Sequence, residues 1–372
     1  MNAGTCLRRC AALLLGSVLI AGCSVLSFVP TGEIADAPAV PTAPDPSAPR
    51  LDPLGTMHFP NVAETDQVVG DLQVIFSRYE NTFVQIARRY DIGYDSLRHA
   101  NPRVDQWLPG EETPVYLPTM NILPDGPRTG VVVNLPALRL YFFSPEHSDT
   151  GDVSSVLTVH PIGIGREGWA TPTGDATVTQ KARDPAWYPP ASVREEHAAQ
   201  GDPLPSIVPP GPDNPLGKFA LRLSMPGYLI HGTNKPAGVG MRVSHGCIRL
   251  YPEDIEALYD RIGVGTDVTI VDQPVLAGWR DGELYLEVHP QLAEDARVPL
   301  ELARAAIETA LAGRALADSV VDWERVASIV TESRGMPFPV LVTAHAPQPY
   351  LAAVRVVENL VPVDTGQSTA SR

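Results

Sequence analysis

The sequence contains 372 residues, of which 44% are hydrophobic, so it is long enough for about two or three domains with cores of their own. It carries 28 basic and 43 acidic side chains, which give a formal net charge of −15. Binding to nucleic acid requires concentrated lysine and arginine. The acidic balance therefore argues against nucleic acid as a partner and indicates a well-solvated, negatively charged surface.

Residues 1–22 have the pattern of an export signal. Arg8 and Arg9 precede an apolar run, residues 10–20, that is shorter than the roughly 20 residues a membrane span needs. The run ends in Leu-Ile-Ala-Gly-Cys at Cys23, which resembles the box of bacterial lipoproteins. That resemblance implies a lipid on Cys23 and a periplasmic protein anchored to a membrane, and the serine that follows favours the outer membrane. An ordinary secretory signal is the alternative.

Residues 23–70 are rich in proline and contain few apolar runs. This composition predicts an extended tether of partly polyproline character. Such a tether would let a membrane-anchored protein reach into the cell wall.

Residues 71–120 have the pattern of a small α+β unit. Residues 80–90 predict a capped amphipathic helix, Tyr94–Ala100 predicts a second helix, and Pro114–Pro118 predicts a closing strand. This strand-helix-helix-strand order resembles a LysM module, and the resemblance implies binding to the N-acetylated sugars of peptidoglycan. The alternative is a structural spacer packed on the next domain.

Residues 127–273 are dominated by predicted strands, which are β-branched or aromatic runs bounded by turns. One helix, Pro252–Tyr259, has a proline and acidic residues in its first turn. The proline-rich loop Asp184–Pro215 has the length of a lid or flap. The predicted strands are Val131–Leu135, Leu138–Phe143, Val153–Ile162, Asp175–Lys181, Lys218–Met225, Tyr228–His231 and Val268–Val271.

A Gly-x-Gly-x-x-Gly pattern spans Gly163 to Gly168, directly after a predicted strand. A dinucleotide site needs a helix to follow this pattern. The next segment, Thr171-Pro172-Thr173-Gly174, favours a turn instead. We therefore reject the dinucleotide interpretation, and we expect no organic cofactor.

The stretch from His231 to Arg249 has the residue types of a nucleophilic acyl-transfer site. Cys247 is the only free thiol of the mature chain, because the other three cysteines lie in the signal or at the lipidation position. A histidine can take the proton of such a thiol and lower its pKa from about 8.5. A small buried hydrophobe is the alternative interpretation of Cys247.

A zinc site formed by His231, His245 and Cys247 is a second alternative, because catalytic zinc takes three such ligands and a water. No Cys-x-x-Cys and no His-Glu-x-x-His accompanies these residues. We therefore expect no metal.

The order His231-Gly232-Thr233, then a glycine-rich gap, then Ser244-His245-Gly246-Cys247-Ile248-Arg249 resembles the signature of the L,D-transpeptidase (YkuD-like) family. The resemblance extends from about residue 129 to residue 272. It implies a mainly β fold, a β-sandwich catalytic domain, accompanied here by the small LysM-like unit and an α-rich C-terminal extension.

The resemblance also implies a reaction. Cys247, with His231 as general base, would attack the third residue of a peptidoglycan tetrapeptide stem, release the terminal D-alanine and pass the acyl group to an amine. The carbonyl of Gly232 would orient His231. The remaining roles are oxyanion stabilisation by Ser244, His245 and the amides of Gly246 and Cys247, and substrate binding by Arg249, Thr233 and Tyr228. For Arg249, a structural ion pair that orders the loop is the alternative.

Residues 274–363 have a different composition from the catalytic region. Gly282–Val288 and Pro339–Val342 predict strands, and Leu300–Leu316 and Trp323–Glu332 predict helices. Packing on the catalytic domain and binding of a partner are both open for this extension. The polar tail at residues 364–372 has no apolar run to bury, which predicts disorder.

Two other functions remain open. A hydrolase of the same fold would use water in place of the amine, and a wall-binding scaffold would not need Cys247 at all. Within the transpeptidase interpretation, the acceptor is either another stem, which gives a 3→3 cross-link, or a lysine of an outer-membrane lipoprotein.

Overall fold

The computed structural model describes residues 57–147, 153–312, 314, 316 and 318–362. The predicted signal peptide, the lipidation position Cys23, the tether as far as residue 56 and the predicted tail at 364–372 lie outside these residues. No helix in the described part of the chain is long and apolar enough to cross a membrane.

The N-terminal region, residues 57–122, contains the two predicted helices between short strands. Its elements are β1 His58–Val62, β2 Val68–Val69, β3 Gln73–Phe76, α1 Phe83–Arg89, α2 Tyr94–Ala100, β4 Pro114–Leu117 and β5 Asn121–Ile122. A capping box starts α1, because Thr82 Oγ1 accepts the Gln85 N–H and Gln85 Oε1 accepts the Thr82 N–H. β3 pairs antiparallel with β4. The predicted strand-helix-helix-strand order is therefore confirmed.

The predicted catalytic region, residues 127–273, contains all seven predicted strands and the predicted helix. Its elements are β6 Gly130–Asn134, β7 Arg139–His147, β8 Val153–Pro161, β9 Ile164–Gly165, β10 Gly174–Arg183, α3 Ala191–Ala199, β11 Phe219–Leu223, β12 Leu229–His231, β13 Arg242–Ser244, β14 Ile248–Arg249, α4 Pro252–Arg261 and β15 Asp267–Val271. A short 3₁₀ helix, Pro236–Gly238, lies between β12 and β13.

Nine of the described strands form one sheet in the order β1-β8-β7-β6-β15-β10-β11-β12-β14. Val131 of β6 and Ile248 of the edge strand β14 belong to the same hydrophobic cluster, together with Ile255 of α4. Strands that far apart in the order reach one cluster only if the sheet curls around it. The chain is thus a mixed α/β protein made mostly of strands, and the predicted sandwich is replaced by one continuous curled sheet.

Two segments that were predicted to be irregular contain regular elements in their described parts. The predicted tether, residues 23–70, contains β1, which pairs antiparallel with β8 at the sheet edge, and Met57 beside it is buried. The predicted flap, Asp184–Pro215, contains α3. Because α3 buries only Val193, its sequence lacks the apolar periodicity from which helices are recognised.

The C-terminal extension packs mainly on the N-terminal region. Its elements are β16 Val275–Arg280, β17 Glu283–Val288, α5 Pro299–Leu311, α6 Trp323–Glu332, β18 Phe338–Pro339, α7 Pro347–Ala352 and β19 Arg355–Val356. Leu72 and Ile122 share a hydrophobic cluster with Leu284 and Ile307 of the extension. β19 adds to β3 as a parallel strand. The α6 range is the predicted one, and its N-cap is Asp322, whose Oδ1 accepts the Arg325 N–H.

A buried ion pair joins the catalytic sheet to the extension. Arg139 Nη1 of β7 lies 2.5 Å from Glu287 Oε1 of β17, and their side chains are 4% and 0% exposed. Glu287 also accepts the Ile122 N–H and lies 3.1 Å from His289 Nε2. Burial would raise the pKa of Glu287, but Arg139 and His289 outweigh it and hold that pKa below its ordinary value. Glu287 is therefore a buried charge that connects three regions: the sheet through Arg139, the N-terminal region through Ile122, and the extension through His289.

Replacing Arg139 with Met should lower the free energy of unfolding by about 3–5 kcal/mol, because the change leaves the Glu287 charge buried without its main partner. Urea unfolding followed by circular dichroism measures this. Arg98→Met is the control, since Arg98 is exposed and pairs with Asp95 at 3.1 Å on the surface, where a pair contributes about 1 kcal/mol or less. Equal losses for the two variants would contradict the role given to Arg139.

Candidate active site

The register of two parallel strands brings the candidate residues together. Ile230 of β12 pairs with Ile248 of β14, and His231 pairs with Arg249. Ile230 and Ile248 both lie in the hydrophobic cluster of the curled sheet. Because side chains alternate along a strand, His231, Arg249 and Cys247, which precedes β14, face the other side.

His231 is buried and is held by backbone carbonyls. Its Nδ1 lies 2.6 Å from Gly232 O, and since a carbonyl only accepts, Nδ1 carries the proton and Nε2 carries the lone pair. Burial, followed by the positive charge of Arg249, lowers the pKa of His231 to about 3, although the carbonyls of Gly232 and Leu216 act in the opposite direction. The imidazole is therefore neutral at physiological pH, with an unprotonated Nε2.

Cys247 is a free, partly buried cysteine whose Sγ lies 3.7 Å from Gly227 O. Burial raises the pKa of its thiol, against a backbone hydrogen bond from Leu229 and the charge of Arg249. The resting pair is thus a neutral thiol and a neutral imidazole. Desolvation of the sulfur is thus the largest effect on the thiol pKa in this structure.

Ser244 and Gly246 shape the loop that carries the thiol. Ser244 is buried, and its Oγ donates to Cys247 O at 2.6 Å and accepts the Gly246 N–H at 3.2 Å. Gly246 has φ of 106°, and a Cβ at this position would lie 3.0 Å from Cε1 of Tyr228. Only glycine fits this turn. The Tyr228 ring consequently packs against the nucleophile loop.

The side chain of His245 contacts α3, within the proline-rich segment Asp184–Pro215. Its Nε2 lies 3.2 Å from Glu196 Oε2 of α3 and 3.2 Å from Arg166 Nη2, and its ring meets the Trp169 ring edge-on at 4.9 Å. Arg166 also pairs with Glu196. His245 therefore links the nucleophile loop to α3, which the sequence did not indicate, and these contacts do not support its predicted part in the oxyanion site.

Arg249 and Thr233 differ in their availability to a substrate. In the part of the chain that the structure describes, Arg249 forms no ion pair, and its buried Nε has no hydrogen-bond partner. A Cβ at Gly238 would lie 3.3 Å from Arg249 Nη1, so glycine leaves space for the guanidinium. Thr233 is buried and its Oγ1 accepts the Lys235 N–H at 2.9 Å, which makes it a turn residue rather than a substrate contact.

Two residues with positioning roles were missed by the sequence analysis. Thr171 Oγ1 donates to Gly246 O at 2.7 Å and accepts the Gly165 N–H at 3.0 Å. Asn214 is fully buried near the end of the proline-rich segment Asp184–Pro215, where Nδ2 donates to Pro185 O at 2.8 Å and Oδ1 accepts the Leu216 N–H at 2.9 Å. The available signals were a threonine beginning the Thr-Pro-Thr-Gly turn and an asparagine among prolines.

The alternative zinc site of His231, His245 and Cys247 does not assemble. Among the described residues, the only group of three His, Cys, Asp or Glu side chains with ligand atoms within 4.8 Å of one another lies elsewhere, at Asp91, His160 and Asp254.

Comparison with known proteins places this geometry in a family. The family model for the L,D-transpeptidase catalytic domain, YkuD, matches residues 128–270. The probable L,D-transpeptidase ErfK/SrfK of Salmonella typhimurium is 38% identical over 290 residues, which are 75% of this chain and 89% of that protein. The chain belongs to the L,D-transpeptidase family. The prediction that it is an L,D-transpeptidase is confirmed.

Other L,D-transpeptidases from Escherichia coli K12 are similar. The probable L,D-transpeptidase YbiS is 41% identical, over 63% of this chain and 76% of that protein. The probable L,D-transpeptidase YcfS is 42% identical, over 56% of this chain and 65% of that protein. A crystal structure of L,D-transpeptidase 3 from Mycobacterium tuberculosis is 22% identical, covers 40% of this chain and 62% of that chain, and has a TM-score of 0.28.

The alkylation rate of Cys247 should rise with pH through the neutral range without a step near pH 6.5. The thiolate fraction limits this rate, and burial holds the thiol pKa above its ordinary value. Protonation of His231 does not affect the alkylation rate above about pH 4, because the pKa of His231 is about 3 and its imidazole is already neutral there. Mass spectrometry after timed exposure to iodoacetamide between pH 5 and 10 measures the profile.

Arg249→Met is the informative variant for this profile. Loss of the guanidinium raises the thiol pKa further, so alkylation at pH 8 should slow. A plateau already reached below pH 7 would instead indicate a thiolate–imidazolium resting pair.

Proposed function

We propose that this chain is a periplasmic cysteine L,D-transpeptidase that acts on tetrapeptide stems of peptidoglycan. The observation that carries the proposal is the placement of Cys247 and His231 on one face of paired strands, with His231 Nδ1 held by Gly232 O. Membership of the family supports the reaction class. The lipoprotein-like box supports a lipid anchor on Cys23, and palmitate labelling lost in Cys23→Ser would test that anchor.

Acylation begins with a proton transfer between two neutral groups. His231 Nε2 takes the thiol proton as Cys247 Sγ attacks the carbonyl of the third stem residue, and a tetrahedral oxyanion forms. The Gly246 N–H is occupied by Ser244 Oγ, so we assign the hydrogen bond to the oxyanion to the Cys247 N–H. The imidazolium then protonates the leaving D-alanine amine, and a thioester on Cys247 remains.

Deacylation runs through the same base. An acceptor amine attacks the thioester carbonyl while His231 takes the amine proton, and the Cys247 thiolate leaves and is reprotonated by His231. Arg249 has an unpartnered guanidinium nitrogen beside this site, which suits a bidentate contact with a carboxylate of the stem. The acceptor is a second stem or a lysine of an outer-membrane lipoprotein, and water would make the enzyme a hydrolase.

A reaction with disaccharide-tetrapeptides tests this proposal. The chain from Ser24, which retains β1, is incubated with the substrate, and mass spectrometry follows free D-alanine, cross-linked dimers and adducts of Cys247. Dimers that disappear in Cys247→Ala are the expected result for a stem acceptor. D-alanine without dimers would indicate another acceptor, and the C-terminal peptide of the lipoprotein is then added to separate protein attachment from hydrolysis.

The reaction class fails if D-alanine is not released and a carbapenem adds no mass to Cys247. The wall-binding scaffold would then be the better interpretation.

We also propose that residues 71–120 form a LysM-like module that binds the glycan of peptidoglycan. Tyr79 and Trp107 are large exposed side chains, at 70% and 57% exposure, on the two loops that flank the helix pair. A hydrogen bond from the Phe83 N–H to Gln106 O at 2.9 Å holds these loops together. Exposed aromatic side chains on neighbouring loops are typical of a binding surface.

Trp107→Ala and Tyr79→Ala should each weaken binding to purified peptidoglycan by roughly tenfold, because each removes a large contact surface. Co-sedimentation measures the affinity, in a Cys247→Ala background so that no covalent product forms. Val264→Ala is the control, since Val264 is 65% exposed outside the module. Unchanged binding in both aromatic variants would leave the module a structural spacer.

A further inference from the structure

Three ligand-type side chains meet at the junction between the N-terminal region and the catalytic sheet. Asp91 follows α1, His160 lies in β8, and Asp254 lies in the first turn of α4. They are 7%, 7% and 1% exposed. We infer that Asp91, His160 and Asp254 form a structural zinc site that joins these two parts of the protein.

The geometry brings one atom of each residue towards a common point. His160 Nδ1 lies 3.2 Å from Asp254 Oδ1 and 4.0 Å from Asp91 Oδ2. The three ligand atoms all lie within 4.8 Å of one another. His160 Nε2 lies 3.0 Å from Thr158 Oγ1, and this contact fixes the ring with Nδ1 turned to the carboxylates.

Polar atoms in this cluster lack partners. The approach of His160 Nδ1 to Asp254 Oδ1 is not a hydrogen bond: His160 Nδ1 and Asp254 Oδ2 have no hydrogen-bond partner among the described residues, although both side chains are more than nine-tenths buried. Buried polar atoms are almost always bonded, and an exception calls for an ion, a water or a proton. Two carboxylates this close also repel each other when both are ionised. A divalent cation removes the repulsion and gives the unpartnered nitrogen a ligand bond.

The ligand types favour zinc over the common hard cations. Zinc accepts imidazole nitrogen and carboxylate oxygen at roughly 2.0–2.2 Å, whereas magnesium and calcium prefer sets made of oxygen alone. Tetrahedral ligands at that bond length lie roughly 3.4 Å apart. This value lies between the separations of His160 Nδ1 from Asp254 Oδ1, 3.2 Å, and from Asp91 Oδ2, 4.0 Å. Three protein ligands leave the fourth position of a tetrahedral zinc to a water.

The position of the site gives the zinc a structural role. Asp91 belongs to the N-terminal region, whereas His160 and Asp254 belong to the catalytic domain. The same junction carries an ion pair between Arg88 and Glu253 at 3.0 Å. A metal shared by the two sides would add its binding free energy to their association. It takes no part in the proposed reaction, so the two proposals succeed or fail separately.

Zinc retention by the chain from Ser24 to Arg372 tests the site. The protein is stripped with a chelator, exposed to zinc chloride and desalted, and bound zinc is measured by mass spectrometry of the metal. We expect one zinc per chain, and the same value in Cys247→Ala, which excludes binding at the thiol. Asp254→Asn keeps the shape of the side chain and should lower zinc affinity by more than roughly tenfold.

Two controls keep the result interpretable. Asp202→Asn changes an exposed aspartate that lies 3.3 Å from His197 Nδ1, a pair of similar spacing, and it should retain zinc fully. Circular dichroism shows whether Asp254→Asn is folded, and in His160→Gln the zinc-dependent rise of the melting temperature should also be lost. Cobalt in place of zinc should give the intense visible absorption of a tetrahedral site without a thiolate charge-transfer band.

The inference is overturned if the wild type retains no zinc, or if folded Asp254→Asn and His160→Gln retain as much as the wild type. The carboxyl groups would then share a proton instead of a metal.

Discussion

The parallel pairing of β12 with β14 is the constraint on which the active site depends. Ile230 and Ile248 are opposite each other and anchor both strands in the core, so His231, Cys247 and Arg249 must face the other side. A slip of one residue would exchange the two sets and bury the thiol among aliphatic side chains. Gly163 resists such a slip, because its N–H and C=O both bond to the backbone of Arg249.

Desolvation determines the charge states of Cys247 and His231 in this arrangement. The burial that brings the groups together raises the pKa of Cys247 and lowers the pKa of His231, so both groups rest neutral. Arg249 shifts both pKa values downwards, which favours ionisation of the thiol while making the imidazole a weaker base. The thiolate–imidazolium pair is therefore formed at a free-energy cost in the free enzyme. Substrate interactions that stabilise the charged pair would lower the barrier without lowering the ground state.

The sequence predicts the elements whose signals are local. The range of α6 follows from its own periodicity and its capping aspartate, and the strands around His231 follow from their β-branched runs. It does not predict β1, whose pairing partner β8 is remote in the chain, or α3, which buries a single side chain. The sequence also does not predict which charged residues are buried. Burial of a pair such as Arg139 and Glu287 depends on which strands become neighbours in the fold.

The same division applies to the site. The candidate nucleophile and base were recognisable because their spacing in the sequence resembles a family signature, whereas Thr171 and Asn214 act through hydrogen bonds to the backbone of distant residues. The buried hydroxyl of Thr171 and the amide of Asn214 satisfy the backbone of irregular loops, which have no strand ladder to do so. The sequence does not predict which backbone carbonyl such a side chain will contact in the fold.

The packing of the extension changes what the N-terminal module can contribute. β19 extends the β3–β4 sheet, and one hydrophobic cluster spans both regions, so residues 57–362 lie within one compact unit rather than three separate domains. A module that was free to rotate would only raise the local concentration of glycan near the catalytic site. A module packed in this way would also fix the direction of a bound glycan strand relative to Cys247. Its binding free energy could then orient the stem peptide for attack, which is a contribution to the rate as well as to affinity.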